Sequence, residues 1–208
     1  MTASRLVLVD TNCFLRLYSS PVMPLLGEVV GGYHLLTLQS LIDEFMTSPR
    51  LTGDYKWVTV APKGTDLTAG ALILSSVAKG RVTKQKAELK PYVDAFVRNM
   101  NAKKRMSLTP LSRRDLDLLA TAVVMKAIIA TDERALQEVA FDLMEDKASY
   151  QIDVLNSFQM LHFLENNGRL DSSARRNTVD AWIKLKERLP MGWRSKYEEL
   201  FGEVYVDC

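Results

Sequence analysis

Short apolar runs separated by amphipathic stretches recur along the chain. Arg5 to Val9 reads RLVLV, too continuous for a strand with one wet face and the right length for a strand buried on both. Asp10-Thr11-Asn12 ends it. Phe14, Leu15, Leu17 and Tyr18 then predict a short helix over Cys13 to Tyr18, which Asp10 or Thr11 would cap. Two prolines between Ser19 and Pro24 mark a loop. After Gly31-Gly32, YHLLTL (Tyr33 to Leu38) predicts a second strand. A helix over Gln39 to Met46 follows, with Leu41, Ile42 and Phe45 on one face and Pro49 as its stop. No period is sustained from Leu51 to Thr68, which predicts loop with one strand at Trp57 to Val60. Ala69 to Ala78 and Lys86 to Asn99 have helical patterns.

Leu111 to Lys126 carries the clearest helical period, with Leu118, Leu119, Ala122 and Val123 recurring after Ser112. The run ending at Ala130 predicts a short buried strand, and Thr131-Asp132-Glu133 leads into a helix over Arg134 to Leu143. Ile152 to Leu155 is the last predicted strand. A helix through Phe158, Leu161, Phe163 and Leu164 follows it to Gly168. Beyond Asp171, one capped helix ends at Pro190 and a shorter one spans Trp193 to Phe201. Strands alternating with helices predict an α/β fold with a parallel sheet, because parallel neighbours need crossover connections.

Composition narrows the class. At 208 residues and 23.5 kDa, with 47% hydrophobic and 25% charged residues, the chain suits one large domain and excludes collagen-like or largely disordered readings. Its two cysteines, Cys13 and Cys208, make neither a disulfide framework nor a CxxC zinc site. The N-terminal apolar run is too short for a signal peptide, and Lys126 interrupts the best membrane-span candidate, Leu118 to Ala130. The expectation is a soluble cytoplasmic protein with no membrane partner. The net charge of +2 hides an asymmetry: from Lys79 to Arg114 there are eleven Lys or Arg against Glu88 and Asp94. That segment carries +9, while the rest, with 16 basic and 23 acidic residues, carries −7. Such a segment suits either a polyanionic partner such as nucleic acid or a solvated helical face.

Acidic residues fall just after predicted strands or in the helices that follow them, the edge of a parallel sheet where ligands bind. Asp10 follows RLVLV, Glu44 lies one turn into the helix after YHLLTL, Asp115 opens the helix before AIIA, and Asp132 comes just after that strand. Four carboxylates at one edge resist ionising together. A hard cation such as Mg²⁺ or Mn²⁺ resolves the conflict. It would also activate a water and offset charge on a scissile phosphate. Each position has a local alternative. Asp10 and Asp132 are favoured helix caps, Asp115 completes Ser112-x-x-Asp115 and Asp43 completes Ser40-x-x-Asp43, which leaves Glu44 without an equally local reason. Helical geometry puts Asp115 on the buried face and turns Asp117 to solvent.

The ordered set of Asp10-Thr11-Asn12, SLIDEF with Glu44, LSRRDLDLLATA from Leu111, and ATDERALQEVA from Ala130 resembles the PIN-domain nucleases, most of all the subgroup that includes ribosomal-RNA processing endonucleases. The resemblance runs from about Arg5 to Gly168. It implies a three-layer α/β/α sandwich around a central parallel sheet, and Mg²⁺- or Mn²⁺-dependent hydrolysis of single-stranded RNA. By position, Asp10, Glu44, Asp115 and Asp132 would be the catalytic metal carboxylates, and Asn12 and Thr131 polar supports that orient them. Glu133 would contribute through water or serve as a first-turn acid favoured by the helix dipole.

Two features exceed a minimal domain of that family: a basic, largely helical insertion at about 53–105 within the domain 1–168, and a helical C-terminal extension, 169–208. Lys84, Lys86, Lys103, Lys104, Arg105, Arg113 and Arg114 would contact RNA phosphates. Tyr92 and Phe96, four apart, suit either base stacking or, better, the core. A toxin of the VapC-like toxin-antitoxin type, with an antitoxin partner, is an alternative role. A non-catalytic RNA-binding or assembly module is the rival from another class. His34 and His162 have no neighbouring ligand set, and Cys13 reads as packed. Trp182 and Trp193 would cover the core or form a homodimer surface.

Overall fold

The computed structural model describes residues 5–18, 26–54, 67–103, 107–146, 150 and 152–206. The RLVLV run forms the central strand β1 (Arg5–Val9). β2 (Val29–Val30) pairs antiparallel with the start of β3 (Tyr33–Leu38), and β4 (Ala71–Leu72) pairs parallel with its end. On its other side β3 runs parallel to β1, which is in turn parallel to β5 (Ile128–Ala130). β6 (Val154–Leu155) continues the sheet beside β5, giving the order β2-β3-β1-β5-β6. The fold is α/β with a mixed, mostly parallel sheet, and the antiparallel β2 corrects the expectation of a purely parallel one.

Side chains alternate across each strand, and the two faces feed two cores. Val7 and Val9 of β1 face Leu35, Ile128 and Ala130 together with α1 (Thr11–Tyr18) and α7 (Ser157–Asn166). Leu8 and Ile129 face the opposite way. They pack with α4 (Ser76–Ala102), α5 (Arg113–Met125) and α6 (Arg134–Asp146). α2 (Gln39–Thr47) and α3 (Pro49–Asp54) follow β3. Helices therefore cover both faces, which is why β1 and β5 read as continuous apolar runs rather than alternating ones.

The 27-residue α4 starts at the Ser75 cap and continues through Pro91, held by Val82, Leu89, Val93 and Val97 against the core. The helix expected over Ala69 to Ala78 is not formed. A 3₁₀ turn, Leu67–Gly70, and β4 take its place before α4 begins. Gly70 admits this because a Cβ there would lie 2.5 Å from that of Leu26. The strand expected at Trp57 to Val60 lies outside the described residues. The Ser40–Asp43 capping box is also absent. β3 runs straight into α2, so Leu38 takes the cap position without a side-chain bond, and Asp43 accepts from Gln39 Nε2 instead.

The tail, α8 (Ser172–Lys184) and α9 (Trp193–Phe201), joins the first core rather than standing apart. Trp182 is fully buried, edge-on to Phe158 at 5.5 Å, while Trp193 stacks on the same ring. Buried Arg175 bonds Glu165, Tyr197 and Glu203, fastening α8 to α7 and α9. Among the described residues no helix is long and apolar enough to cross a membrane.

Candidate functional site

The chain passes from β1 to β3 on one side and returns to β5 on the other, with α1 against one face and α4 and α5 against the other. The strand order reverses at the C-terminal end of β1, the place where open α/β sheets bind ligands. Asp10 stands there, 4% exposed. Its Oδ1 accepts the Thr11 N–H at 2.7 Å, and its Oδ2 accepts the Thr131 hydroxyl at 2.9 Å. The same hydroxyl accepts the Glu133 N–H at 3.0 Å, which leaves its proton for Asp10. Thr131 thus occupies the supporting position expected of it.

Two donors do not offset the loss of water around Asp10. Burial pushes its carboxyl from 3.8 up to about 7, opposed by the Thr131 bond and reinforced by the charges of Asp115 and Glu133. Glu133 is also pushed up, first by burial and then by Asp115. Asp10, Asp115 and Glu133 therefore share one electrostatic field at the crevice. Asp115 also forms the capping box: it accepts the Ser112 N–H at 2.7 Å, and its own N–H reaches Ser112 Oγ at 3.1 Å.

The other two carboxylates expected at the site are held by arginines. Glu44, half-buried on α2, accepts from Arg114 at 2.7 Å. Asp132 does not turn toward Asp10. Its buried side chain pairs with Arg16 and accepts the hydroxyl and, at 3.1 Å, the N–H of Ser157. Arg16 also donates to the carbonyl of Arg188 and lies 3.6 Å from Glu187, while its own carbonyl accepts Trp182 Nε1–H. A buried guanidinium thus ties the end of β5 to the segment after α8. Among the described residues, no three His, Cys, Asp or Glu side chains stand close enough to hold one metal ion.

The expected RNA contacts divide. Lys84, Lys103, Arg113 and Arg114 are exposed, and of the expected contacts Lys84 is ion-paired with Glu88, Lys86 with Asp117 and Arg114 with Glu44. Lys104 and Arg105 lie outside the described residues. Asp117 was expected in solvent, but α4 packs along α5 and brings Lys86 against it. Tyr92 and Phe96 pack against the second core, and Cys13 is fully buried, its thiol pushed up by burial. His34 bonds the Gly27 carbonyl, and His162 meets Asn166 and Phe201.

Asn12 is exposed at a cleft of about 810 Å³ that also includes Asp132 and Glu133 and is closed by residues 185–188. Sequence reasoning missed Arg16 and this cleft. The one signal for Arg16 is a lone cation in the otherwise apolar stretch Cys13 to Tyr18. No family model, no curated protein and no solved structure matches the chain.

Proposed function

We propose that the chain is a Mg²⁺- or Mn²⁺-dependent endoribonuclease acting on single-stranded RNA. In this reading the two helix-covered faces of the sheet make a three-layer α/β/α sandwich, with residues 53–105 as its insertion and 169–208 as its extension. The observation that carries it is Asp10, buried where the strand order reverses and sharing one field with Asp115 and Glu133. Such a group is stable when a cation offsets its charge, and an all-carboxylate donor set suits a hard divalent ion. A bound ion would supply charge compensation and an acidified water. Asp10 would offer the ion its oxygens, with the more distant Asp115 and Glu133 acting on it through their charge and through bound water, and the Thr131 hydroxyl fixes the orientation of Asp10. Glu44 is held by Arg114, the neighbour of Asp115 in sequence. Asp132 acts through Arg16 as a positioning residue for the crevice edge.

A labelled single-stranded RNA incubated with wild type and Asp10→Asn in Mn²⁺, Mg²⁺ and EDTA tests this reading. Cleavage by wild type alone, abolished by EDTA, is the expected result. Full activity of the purified variant would overturn the site.

A second reading, a non-catalytic RNA-binding or assembly module, draws on the fact that Glu44, Asp115 and Asp132 all have protein partners without any ion. Calorimetry separates the two: absence of Mn²⁺ binding favours the module.

A further inference from the structure

The cleft beside the carboxylates is built from four separate stretches of chain: α1, α3, the turn after β5 and the segment leaving α8. Among the described residues that line it, Leu185 is the one apolar side chain. Two of its carboxylates, Asp132 and Glu187, are met by Arg16. Arg50, Lys186 and Arg188 are all exposed, and none has a carboxylate partner among the described residues. The cleft's described lining carries five basic side chains, Arg16, Arg50, Arg134, Lys186 and Arg188, against three carboxylates, Asp132, Glu133 and Glu187, and the three without a carboxylate partner come from two distant parts of the sequence. Glu133 links its floor to the field of Asp10 and Asp115.

We propose that this cleft, and not the basic segment along α4, is the binding site for the phosphodiester backbone of the RNA strand, with Arg50, Lys186 and Arg188 contacting its phosphates. The inference rests on the ribonuclease reading for its choice of polyanion. Guanidinium groups meet phosphate oxygens in a bidentate fork, and a lysine adds a point charge. An acidic protein segment fits less well, because stable protein interfaces need an apolar centre and the described lining offers Leu185 alone. Along α4 and α5, by contrast, Lys86, Lys90 and Arg114 are already paired with Asp117, Asp94 and Glu44. The residues 185–188 that close the cleft are anchored through Arg16, so the two cations they carry are held at its edge.

The test measures binding of a labelled single-stranded oligouridylate to the full chain in EDTA, over a range of salt. It compares wild type, the triple variant Arg50→Gln/Lys186→Gln/Arg188→Gln, and a variant of equal charge loss, Lys84→Gln/Lys103→Gln/Arg113→Gln. All six side chains are exposed, so both variants should keep the wild-type melting temperature. The cleft variant is expected to bind about tenfold or more weakly. Its slope of log K against log salt should fall by about 2, each phosphate contact on a single strand being worth about 0.7. The equal-charge variant should lose clearly less. Equal losses in the two variants would overturn the proposal, as would unchanged binding by the cleft variant or no binding by wild type. Polyglutamate displacing the RNA at equal charge concentration would assign the cleft to an acidic protein instead. Repeating the assay in Mn²⁺ separates the two readings: specific loss of binding in the cleft variant with no cleavage by wild type upholds the cleft and rejects the nuclease, and cleavage by wild type with binding unchanged in the cleft variant does the reverse.

Discussion

Replacing Asp10 by Asn should stabilise the metal-free protein above neutral pH while abolishing cleavage. Burial, with the charges of Asp115 and Glu133, lifts the carboxyl from 3.8 to about 7 on folding. The folded chain then holds this proton more tightly than the unfolded one. Its stabilising contribution is complete below about pH 4 and is lost as pH rises through about 7. Each tenfold change in proton affinity is worth about 1.4 kcal/mol, so the loss by about pH 8 amounts to roughly 4 kcal/mol. Asn resembles the protonated acid: its oxygen can keep the Thr11 N–H, and its amide can donate to Thr131 Oγ1. Redirecting the Thr131 proton costs about 1 kcal/mol. The variant should therefore be more stable than wild type by about 2–4 kcal/mol near pH 8 and about equal to it near pH 4. Urea unfolding in EDTA across that range measures the difference, with equal m-values confirming that both chains expose the same surface. Parallel stability curves for the two proteins would refute the reasoning. On the proposed metal-dependent reading, adding Mn²⁺ at the alkaline end should stabilise wild type and leave the variant unchanged, because only wild type would present a carboxylate to it.

Arg16→Met should destabilise the fold by about 3–5 kcal/mol, since it leaves Asp132 charged and buried, and Arg16→Met/Asp132→Asn should recover most of the loss; a loss under about 1 kcal/mol in urea unfolding would show that the pair is not the clasp it is taken to be. Lys126 ends α5 in the left-handed region at φ 52°, so Lys126→Gly should raise stability by about 1 kcal/mol, and an unchanged or lower melting temperature counts against this.

The sheet's centre was legible because its signals are local. LVLV after Arg5, and AIIA, are apolar without interruption because both faces are covered, and Leu118, Leu119 and Ala122 repeat at the helical period. β2 and β4 were not legible, since two residues carry no period and each forms only against β3. The position of Asp10 followed from the strand it ends. The fate of Asp132 did not, because its partner Arg16 lies 116 residues away, and no spacing rule couples them. Asp43 shows the opposite failure, a local motif displaced when the strand ran directly into the helix. Asp117 was misplaced because α4, read only as Lys86 to Asn99, is a long helix lying on α5.

The Arg16 clasp also bears on the order in which the molecule assembles. Arg16 meets Trp182 across 166 residues and Arg188 across 172, and contacts of that span bear a loop-closure cost that nearer pairings do not. The pairing of β1 with β3 and the docking of α5 on α4 can precede it, so the wall of the cleft is expected to form after them, with φ-values at Arg16 and Trp182 near zero. Loosening of residues 185–188 in the folded protein would break the Arg16 contacts with Glu187 and Arg188 first, while the bond of the fully buried Trp182 holds until α8 lifts from α1. Solvent exchange of the Trp182 indole proton thus reports the opening of α8 from α1, the support on which the outer wall of the crevice stands.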